Sequence, residues 1–410
     1  MQEASGKVTA QVLSTENASP LNFELSFLKS GNIRFKVSEK TPRWQPTDLL
    51  IPAGLTLTDY KKTDPANLPA AWKSKDANSF ASYAFTGSRA DGTTFDNTVV
   101  LQFSPVRLEV YQGEDLVVVV NDRNLMHFEQ RQGSQSNEIK LATDTNVDRH
   151  KGKTVVDYGE DGLAMYADGT REEKATADAE NTVAHHGTES FGGHTDTVPH
   201  GPSSVGLDIS FPSASNIYGI PEHTTSLSLP TTNTGSAGSS PHFQQPYRLY
   251  NLDVFEYELQ ETMALYGNIP FLWGHGKSST SNRYISAGIF FFNPSESFVD
   301  ISDGKTSFFS STYKESHWVL ESGEIDIFVM TGPTPKDLVY EFATIVGTQQ
   351  LPPIFSLGYH QCRWNYRDER DVAQVNAQFE ALDFPYDVIW LDIEHTNGKR
   401  YFTVSLSFSF

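Results

Sequence analysis

Residues 1–333 carry short apolar segments that recur with the two-residue alternation of β-strands. Residues Arg107–Tyr111 alternate between polar and apolar, Leu116–Val120 is an apolar run, and Gln112–Asp115 between them has the composition of a turn. The two segments therefore predict a β-hairpin. Further strand candidates are Val99–Phe103, Val205–Phe211, Leu249–Leu259, Ile285–Phe292 and Ile325–Met330. Many short strands with turn signals and little helical periodicity predict an antiparallel β-sandwich over residues 1–333.

A polar insertion interrupts this pattern between about residues 143 and 202. The stretch is rich in Asp, Glu, Gly, Thr and His and has few large apolar side chains. Such a segment cannot bury enough apolar surface to offset the entropy of ordering it. We expect a long solvated loop or local disorder here, and a flexible hairpin tip at the Thr/Gly/Ser-rich residues 231–240.

The pattern changes to helical spacing at residue 334. Thr334 followed by Pro335 has the composition of a helix start, and Gly347 that of a helix end. Between them, apolar residues recur every three or four positions, as on the buried face of a helix. We take this helix as the start of a second domain over residues 334–403.

A strand, a helix and a second strand are expected within this second domain. The apolar segment Pro352–Tyr359 predicts the first strand, and the helix begins near Asp368. The second strand is Asp387–Asp392, whose four consecutive apolar residues indicate burial. This order of elements is a βαβ unit, which implies a parallel sheet.

The charge of the chain narrows the classes of partner. There are 51 acidic and 31 basic residues among 410, for a formal net charge of −20. This field repels phosphate backbones, so no nucleic-acid partner is expected, whereas neutral sugars are compatible with it. No apolar run is long enough to span a membrane, and the first residues lack the pattern of a signal peptide. The single cysteine, Cys362, permits no intrachain disulfide, and the sequon at Asn17 leaves glycosylation open.

Carboxylates follow the last predicted strand. Asp392 and Glu394 come after the apolar residues 388–391, where ligands bind in parallel α/β barrels. A ligand-binding role for Asp392 competes with a simpler one, in which it caps the following turn. Arg363 and Trp364 follow the preceding strand in the same way. A platform for a sugar ring competes there with a cation–π pair or a core plug.

Candidates elsewhere in the chain are fewer. Asp253 lies among aromatic residues of the β domain and is either a ligand contact or a strand-edge residue. The histidines of the polar insertion match no compact zinc pattern; they are His185, His186, His194 and His200. There is no phosphate-binding glycine loop and no serine nucleophile elbow. We therefore expect no metal and no cofactor.

Several long segments resemble a known family. They are Tyr218–His223, Pro246–Asp253, Met263–Gly267, Leu357–Glu369, Asp387–His395 and Gly398–Thr403. These segments are similar to the α-glucosidases of glycoside hydrolase family 31. The resemblance implies a galactose-mutarotase-like N-terminal β-sandwich followed by the first βαβ unit of a (β/α)8 TIM barrel.

The resemblance also implies roles for individual residues. Asp392 matches a family aspartate that holds hydroxyl groups of the terminal glucose, and Ile393 lines the same subsite. Asp253 matches an aspartate on a β-domain loop that reaches over the pocket. Family members remove terminal α-linked glucose with retention of configuration, using two aspartates on later barrel strands. Neither of these matches a residue of this chain, so no catalytic residue is assigned.

Residues 404–410 depart from the family, which continues with Trp-Asp-Pro after the segment that ends at Thr403. We expect this tail to be aberrant, as from a gene-model error, and the chain as given to be inactive. The family branch with the same motifs acts in the lumen of the endoplasmic reticulum, trims glucose from N-linked glycans and pairs with a non-catalytic β subunit. The resemblance implies that substrate, compartment and partner.

Three functions stay open at this point. The chain is part of an α-glucosidase, or a non-catalytic carbohydrate-binding or regulatory β-sandwich protein, or a complete hydrolase with Asp392 and Glu394 (or Asp253) as its catalytic pair. One βαβ unit cannot close an eight-stranded barrel, which argues against the third. Whether the chain acts as an enzyme, and on which linkage, is left open by the sequence.

Overall fold

The structure, a computed structural model, divides into two compact units, Met1–Gly347 and Thr348–Phe410. It describes the following residues: 1–13, 19–44, 46, 48–89, 91–131, 153–158, 164–171, 188–191, 194–197, 201–232, 245–254, 256–305 and 312–408. The sequon at Asn17 lies outside these residues, as do His185, His186 and His200.

Two large antiparallel sheets form the first unit. The strands of the first sheet, in spatial order, are β1 (Gln2–Ala4), β2 (Lys7–Val12), β3 (Leu21–Phe27), β4 (Ile33–Ser38), β22 (Ile325–Met330), β19 (Tyr284–Phe291), β18 (Phe271–Lys277) and β16 (Asn216–Gly219). The β4–β22 pairing joins the beginning of the unit to its end. Such long-range pairing is typical of a β-sandwich.

The second sheet contains the predicted hairpin. Its strands, in spatial order, are β17 (Tyr247–Leu249), β20 (Ser297–Lys305), β21 (Thr312–Leu320), β15 (Val205–Phe211), β9 (Asp115–Val120), β8 (Val106–Gln112), β7 (Thr94–Phe103), β6 (Phe80–Ser88) and β5 (Tyr60–Lys62), with β10 (His127–Phe128) also beside β15. The β8–β9 hairpin turns at Gly113 and Glu114, as the sequence predicted.

Parts of the polar insertion form strands. The described residues there make two short antiparallel hairpins, β11 (Val155–Tyr158) with β12 (Ala164–Tyr166), and β13 (Thr188–Phe191) with β14 (His194–Thr197). The sequence predicted a long solvated loop or local disorder over this stretch, and these described residues are paired in hairpins. Local hairpins satisfy backbone hydrogen bonds without requiring a large apolar core.

Apolar runs in the sequence correspond to strands that are buried on both faces. Phe291 and Ile327 point into the main core between the two sheets, together with Tyr83 and Trp318 of the second sheet. Their chain neighbours Phe290 and Phe328 belong to a second cluster on the other face. Because successive side chains alternate between faces, a strand covered on both sides reads as an unbroken apolar run.

Helix α1 (Pro335–Val346) covers that second face. Thr334 caps it, with its hydroxyl accepting from Asp337 N at 3.2 Å, while the Asp337 carboxylate accepts from Thr334 N at 3.1 Å. Gly347 ends it at a positive φ of 86°. The predicted helix is confirmed, and it packs on the β-sandwich as part of the first unit. Phe342 stacks on Phe271 with ring centroids 4.7 Å apart.

The second unit contains the predicted βαβ arrangement. Strand β23 (His360–Gln361) and strand β24 (Val388–Ile389) pair in parallel, and helix α2 (Glu369–Ala381) connects them. Asp368 caps α2 by accepting from Asp371 N at 2.8 Å. Short 3-10 turns complete the described helical residues of both units: Pro52–Leu55, Pro65–Asn67, Ala70–Trp72, Ile354–Leu357, Ile393–His395 and Leu406–Phe408.

Three predicted strands differ from the structure. Leu249–Leu259 contributes one strand residue, Leu249, to β17 and then becomes a loop, in which Leu252 N donates to the carbonyl of Leu265 rather than to a strand. Pro352–Tyr359 forms a 3-10 turn, since its two prolines lack N–H donors, and the strand begins at His360. Asp387–Asp392 was expected to be buried, but it pairs over two residues and Trp390 is 55% exposed.

Candidate functional site

The parallel strands place two polar segments side by side. His360 is opposite Val388, and Gln361 is opposite Ile389. The segments that follow, 363–366 and 392–395, therefore leave the sheet at the same edge, where ligands bind in α/β folds. This is the arrangement that the sequence predicted for the second unit.

Trp364 and Glu394 form the contact that joins these two segments. The indole Nε1–H of Trp364 donates to Glu394 Oε1 at 2.9 Å, across 30 residues of sequence. Lys399 Nζ lies 3.9 Å from the same carboxylate oxygen and 6.0 Å from the centre of the Trp364 ring. Trp364 itself is 67% exposed. The result is an exposed aromatic face whose edge is fixed by a carboxylate.

The second oxygen of Glu394 is unusual in its surroundings. Glu394 Oε2 is buried and has no hydrogen-bond partner among the described residues. A carboxylate oxygen without a donor is costly to bury, so this atom is an unsatisfied acceptor at the edge of the sheet. The sequence alone gave no reason to place Glu394 and Trp364 in contact, and it did not indicate Lys399 at all.

Asp392 caps the turn that carries Glu394. Its Oδ1 accepts from Ile393 N at 2.6 Å, and its backbone carbonyl accepts from His395 Nδ1 at 2.8 Å. The structure thus gives Asp392 the capping role that was weighed against ligand binding. The two roles are compatible, because an ionised carboxylate has about four acceptor positions. Ile393 is half-buried in the same turn.

A histidine–tryptophan pair supports the strands beneath this edge. Trp390 Nε1–H donates to His360 Nδ1 at 2.7 Å, and His360 Nε2 donates to the carbonyl of Ser356 at 2.9 Å. The neutral tautomer with the proton on Nε2 satisfies both bonds. The rings also stack at 5.8 Å between centroids. This pair is a structural tie between β23 and β24.

Asp253 lies in the first unit, on the loop that follows β17. It is exposed, and the Tyr266 hydroxyl donates to its Oδ1 at 3.1 Å. The same hydroxyl lies 3.1 Å from the carbonyl of Val254. This hydrogen bond to Asp253 raises the pKa of the Tyr266 phenol above its ordinary value. Tyr266 was part of a recognised motif but was not predicted as a site residue, because no spacing rule relates it to Asp253.

Two classes of feature are absent from the described residues. They hold no group of three His, Cys, Asp or Glu side chains placed to bind a metal ion. None of the helices in the described part of the chain has the length and apolar character of a membrane span. Cys362 is exposed, and no other cysteine occurs in the sequence.

A two-layer antiparallel β unit that precedes a parallel strand–helix–strand unit defines the class of this protein. It is a galactose mutarotase-like domain followed by the beginning of a catalytic barrel. The family model for the N-terminal galactose mutarotase-like domain of glycosyl hydrolases 31 matches residues 22–300, and the TIM-barrel domain model of the same family matches residues 349–409. The chain belongs to glycoside hydrolase family 31.

Curated relatives are α-glucosidases. The chain is 38% identical over 394 residues to neutral alpha-glucosidase AB of Dictyostelium discoideum, which covers 93% of this chain and 37% of the relative. It is 34% identical over 401 residues to glucosidase 2 subunit alpha of Schizosaccharomyces pombe, covering 97% and 38%. The chain therefore spans less than two-fifths of the length of these relatives.

Solved structures agree with the sequence matches. The chain is similar to the crystal structure of an endoplasmic-reticulum glucosidase II complex between the catalytic subunit and the binding domain of the regulatory subunit. The TM-score is 0.71 at 31% identity, and the match covers 99% of this chain and 40% of that one. A dextranase of the same family from Flavobacterium johnsoniae shares the fold, with a TM-score of 0.53 at 16% identity.

Proposed function

We propose that this chain forms the glucose-recognising region of a retaining α-glucosidase that trims terminal α-linked glucose from N-linked glycans. The observation that carries the proposal is the Trp364–Glu394 contact at the carboxyl edge of the parallel strands, directly beside Asp392. An exposed indole face suits the apolar face of a sugar ring, and carboxylates accept from its hydroxyl groups. The names of the relatives support an α-glucoside as the substrate class.

Each proposed contact has a distinct role. Asp392 accepts hydrogen bonds from hydroxyl groups of the glucose through the capacity that turn capping leaves free. Ile393 packs against the ring, and Glu394 holds the indole of Trp364 beside it. Asp253, in the first unit, is proposed independently as a sugar contact of the β domain, with Tyr266 as its support.

We assign no nucleophile and no acid/base catalyst to this chain. A retaining mechanism requires two carboxyl groups about 5–5.5 Å apart, one of which attacks the sugar while the other protonates the leaving group. Asp392 and Glu394 are instead engaged in fixed acceptor bonds, to a backbone N–H and to an indole N–H. The 410 residues alone should bind glucose without turning over a glucoside.

The compartment and the partner follow from the same proposal. A glucosidase II-like chain acts in the lumen of the endoplasmic reticulum and associates with a non-catalytic regulatory subunit, as in the similar heterodimeric structure. Co-purification of the tagged chain with that subunit from microsomes would support the association. If the tagged chain were absent from the lumen of microsomes, the proposed compartment would be contradicted.

A binding and turnover experiment tests the proposed function. The 410-residue chain is assayed with p-nitrophenyl α-D-glucoside, and glucose binding is measured by calorimetry. We expect no turnover, and we expect binding to be lost in Asp392→Asn but kept in Glu380→Gln, which makes the same charge change at an exposed position of α2. Hydrolysis that disappears in the Asp392→Asn, Glu394→Gln double variant would overturn the proposal.

The non-catalytic carbohydrate-binding alternative is supported by a different feature. A groove of about 1070 Å³ runs over β2, β3 and β4, with a polar lining that includes Thr9, Gln11 and Asn22. Its cations are already paired, Lys7 with Glu24 at 2.9 Å and Arg34 with Asp326 at 2.6 Å, so it favours a neutral ligand. Glucose binding that survives Asp392→Asn but is lost in Asn22→Ala would favour this alternative.

A further inference from the structure

Three segments of the first unit build the support of the Asp253 loop. Two of them, the arms 247–254 and 262–267, are bonded to each other, with Leu252 N donating to the carbonyl of Leu265 at 3.0 Å. The third, the supporting segment 220–224, is bonded to the second arm: Glu222 N–H donates to the carbonyl of Gly267 at 2.8 Å, and the Glu222 carboxylate accepts from Gly267 N at 2.9 Å. The arm 262–267 therefore lies between the supporting segment and the arm that carries Asp253.

The tip of this assembly is the Asp253–Tyr266 pair. One arm supplies each residue, and the Tyr266 hydroxyl joins them. Asn251 Nδ2 also donates to the carbonyl of Tyr266 at 2.8 Å. Because both side chains of the pair are exposed, their geometry depends on how firmly the two arms are held at their base.

His223 belongs to the supporting segment and contacts the Asp253 arm directly. Its Nε2 lies 2.9 Å from the carbonyl oxygen of Arg248, in the arm that leads to Asp253. Its Nδ1 lies 2.7 Å from the carbonyl oxygen of Ile220, within the supporting segment itself. The buried ring of Tyr247 packs edge-on against the imidazole at 5.2 Å. The imidazole is therefore a side chain that bridges the supporting segment and the Asp253 arm.

We propose that His223 is a positioning residue for Asp253, which it holds in place by donating from Nε2 to the carbonyl of Arg248. This inference rests on the proposed function, in which Asp253 contacts the sugar. A neutral imidazole donates from one nitrogen only, so the proposal requires that proton to be on Nε2. Burial lowers the pKa of His223, and the two carbonyl contacts oppose that effect.

Two substitutions distinguish the contact made by Nε2 of His223 from the contact made by Nδ1. In His223→Gln the side-chain amide reaches the position of Nε2 and can still donate to Arg248. In His223→Asn the shorter amide reaches the position of Nδ1 and can donate only to Ile220. A residue that merely filled space would be affected by the two substitutions to a similar degree.

The Tyr266 phenol provides a readout that needs no substrate. Its pKa is raised by the hydrogen bond to Asp253, so weaker positioning moves the pKa back toward the usual value of about 10. The titration is followed by NMR of protein labelled at the Cζ carbon of tyrosine. Tyr266→Phe assigns the resonance, Asp253→Asn defines the unraised pKa, and circular dichroism verifies folding over the same pH range.

The expected result is a lowered Tyr266 pKa in His223→Asn and an unchanged one in His223→Gln. Equal pKa values in both variants, whether unchanged or lowered, would overturn the proposal. A second measurement uses the unsubstituted chain: long-range proton–nitrogen NMR at neutral pH should show the His223 proton on Nε2, and a proton on Nδ1 alone would overturn it. If Tyr266 responds as expected but glucose affinity does not change in His223→Asn, the positioning is upheld and the sugar contact of Asp253 is rejected.

Discussion

Glu341 of helix α1 is a buried carboxylic acid with few hydrogen-bond donors around it. It is 3% exposed, and one of its carboxylate oxygens has no hydrogen-bond partner while the other accepts from Gly332 N at 3.2 Å. Burial raises the pKa of this carboxyl to about 8. The nearby guanidinium of Arg89 has other partners, since it donates to the carbonyl of Gly332 and lies 3.5 Å from the carboxylate of Asp337. Glu341 is therefore retained as a neutral acid below pH 8.

Replacing Glu341 should remove a pH dependence of the free energy of unfolding. The folded pKa of about 8 is above the ordinary value of 4.5, so the folded state binds a proton that the unfolded state has lost. The contribution of Glu341 to stability is therefore fully present below pH 4.5 and is lost as the pH rises through 8. We expect Glu341→Gln to raise the free energy of unfolding at pH 9 by on the order of 2 kcal/mol, and to change it little at pH 4.5.

Urea unfolding of the two proteins at both pH values measures this effect. Glu114→Gln is the control, because Glu114 is exposed in the β8–β9 turn and should give no pH-dependent difference. An equal effect of Glu341→Gln at the two pH values would show that the acid is ionised in the folded state.

A second prediction for a single residue concerns the indole of Trp364. Trp364→Phe keeps an aromatic ring but removes the donor to Glu394 Oε1. We expect glucose affinity to fall about tenfold, which corresponds to roughly 1.4 kcal/mol, because the carboxylate loses its fixed position. Trp390→Phe is the matched control, since it removes the indole donor to His360 in the same unit. Equal affinities of the two variants would contradict the role of Trp364.

At the scale of elements, sequence signals predicted the structure correctly where the hydrogen-bond partners of a segment are close to it in sequence. The capping residues of α1 and α2 are adjacent in sequence to the backbone groups they satisfy, so Thr334 and Asp368 marked both helix starts correctly. The strand β22 was also predicted with its observed bounds, Ile325–Met330. Leu249–Leu259 was predicted wrongly, because its apolar residues alternate as in a strand while its hydrogen-bond partners lie in another loop.

The candidate site shows the same limit of prediction from local sequence. Asp392 could be selected from its position after an apolar strand, but the Trp364–Glu394 and Tyr266–Asp253 contacts join residues that no local rule relates. Register between β23 and β24 decides the first contact, and loop geometry decides the second. Neither is encoded in a short sequence window.

The capping box of α1 gives a prediction for this element. Thr334→Ala removes the hydroxyl that accepts from Asp337 N, whereas Thr334→Ser keeps it. We expect the alanine variant to lose about 1 kcal/mol of stability and the serine variant a few tenths at most. Thermal unfolding measures both. Equal losses would mean that the methyl group of Thr334 is responsible and the cap is not.

For the whole molecule, the two units differ sharply in burial. The first unit has its core between two sheets and a further cluster under α1. In the second unit α2 has no buried residue, and large apolar side chains are exposed, including Leu351 at 92%, Leu382 at 78% and Phe384 at 57%. A surface of this kind promotes association and binds hydrophobic probes.

Hydrogen exchange on the intact 410-residue chain should detect this difference. Amides of β15 should be protected to nearly the full unfolding free energy, because the strand is buried and paired on both sides. Amides of α2 should exchange at least a hundredfold faster, since none of the residues of that helix is buried. Comparable protection in β15 and α2 would contradict this picture.

The bond between Trp364 and Glu394 has a consequence for the thermodynamics of ligand binding. The indole is oriented before any ligand arrives, so the loss of its rotational freedom is incurred during folding and not during association. A rigid aromatic wall of this kind selects ligands by shape, because it cannot rotate to accommodate a ring of different stereochemistry. Epimers of glucose should therefore be rejected mainly through unfavourable enthalpy, at a nearly constant entropy of binding.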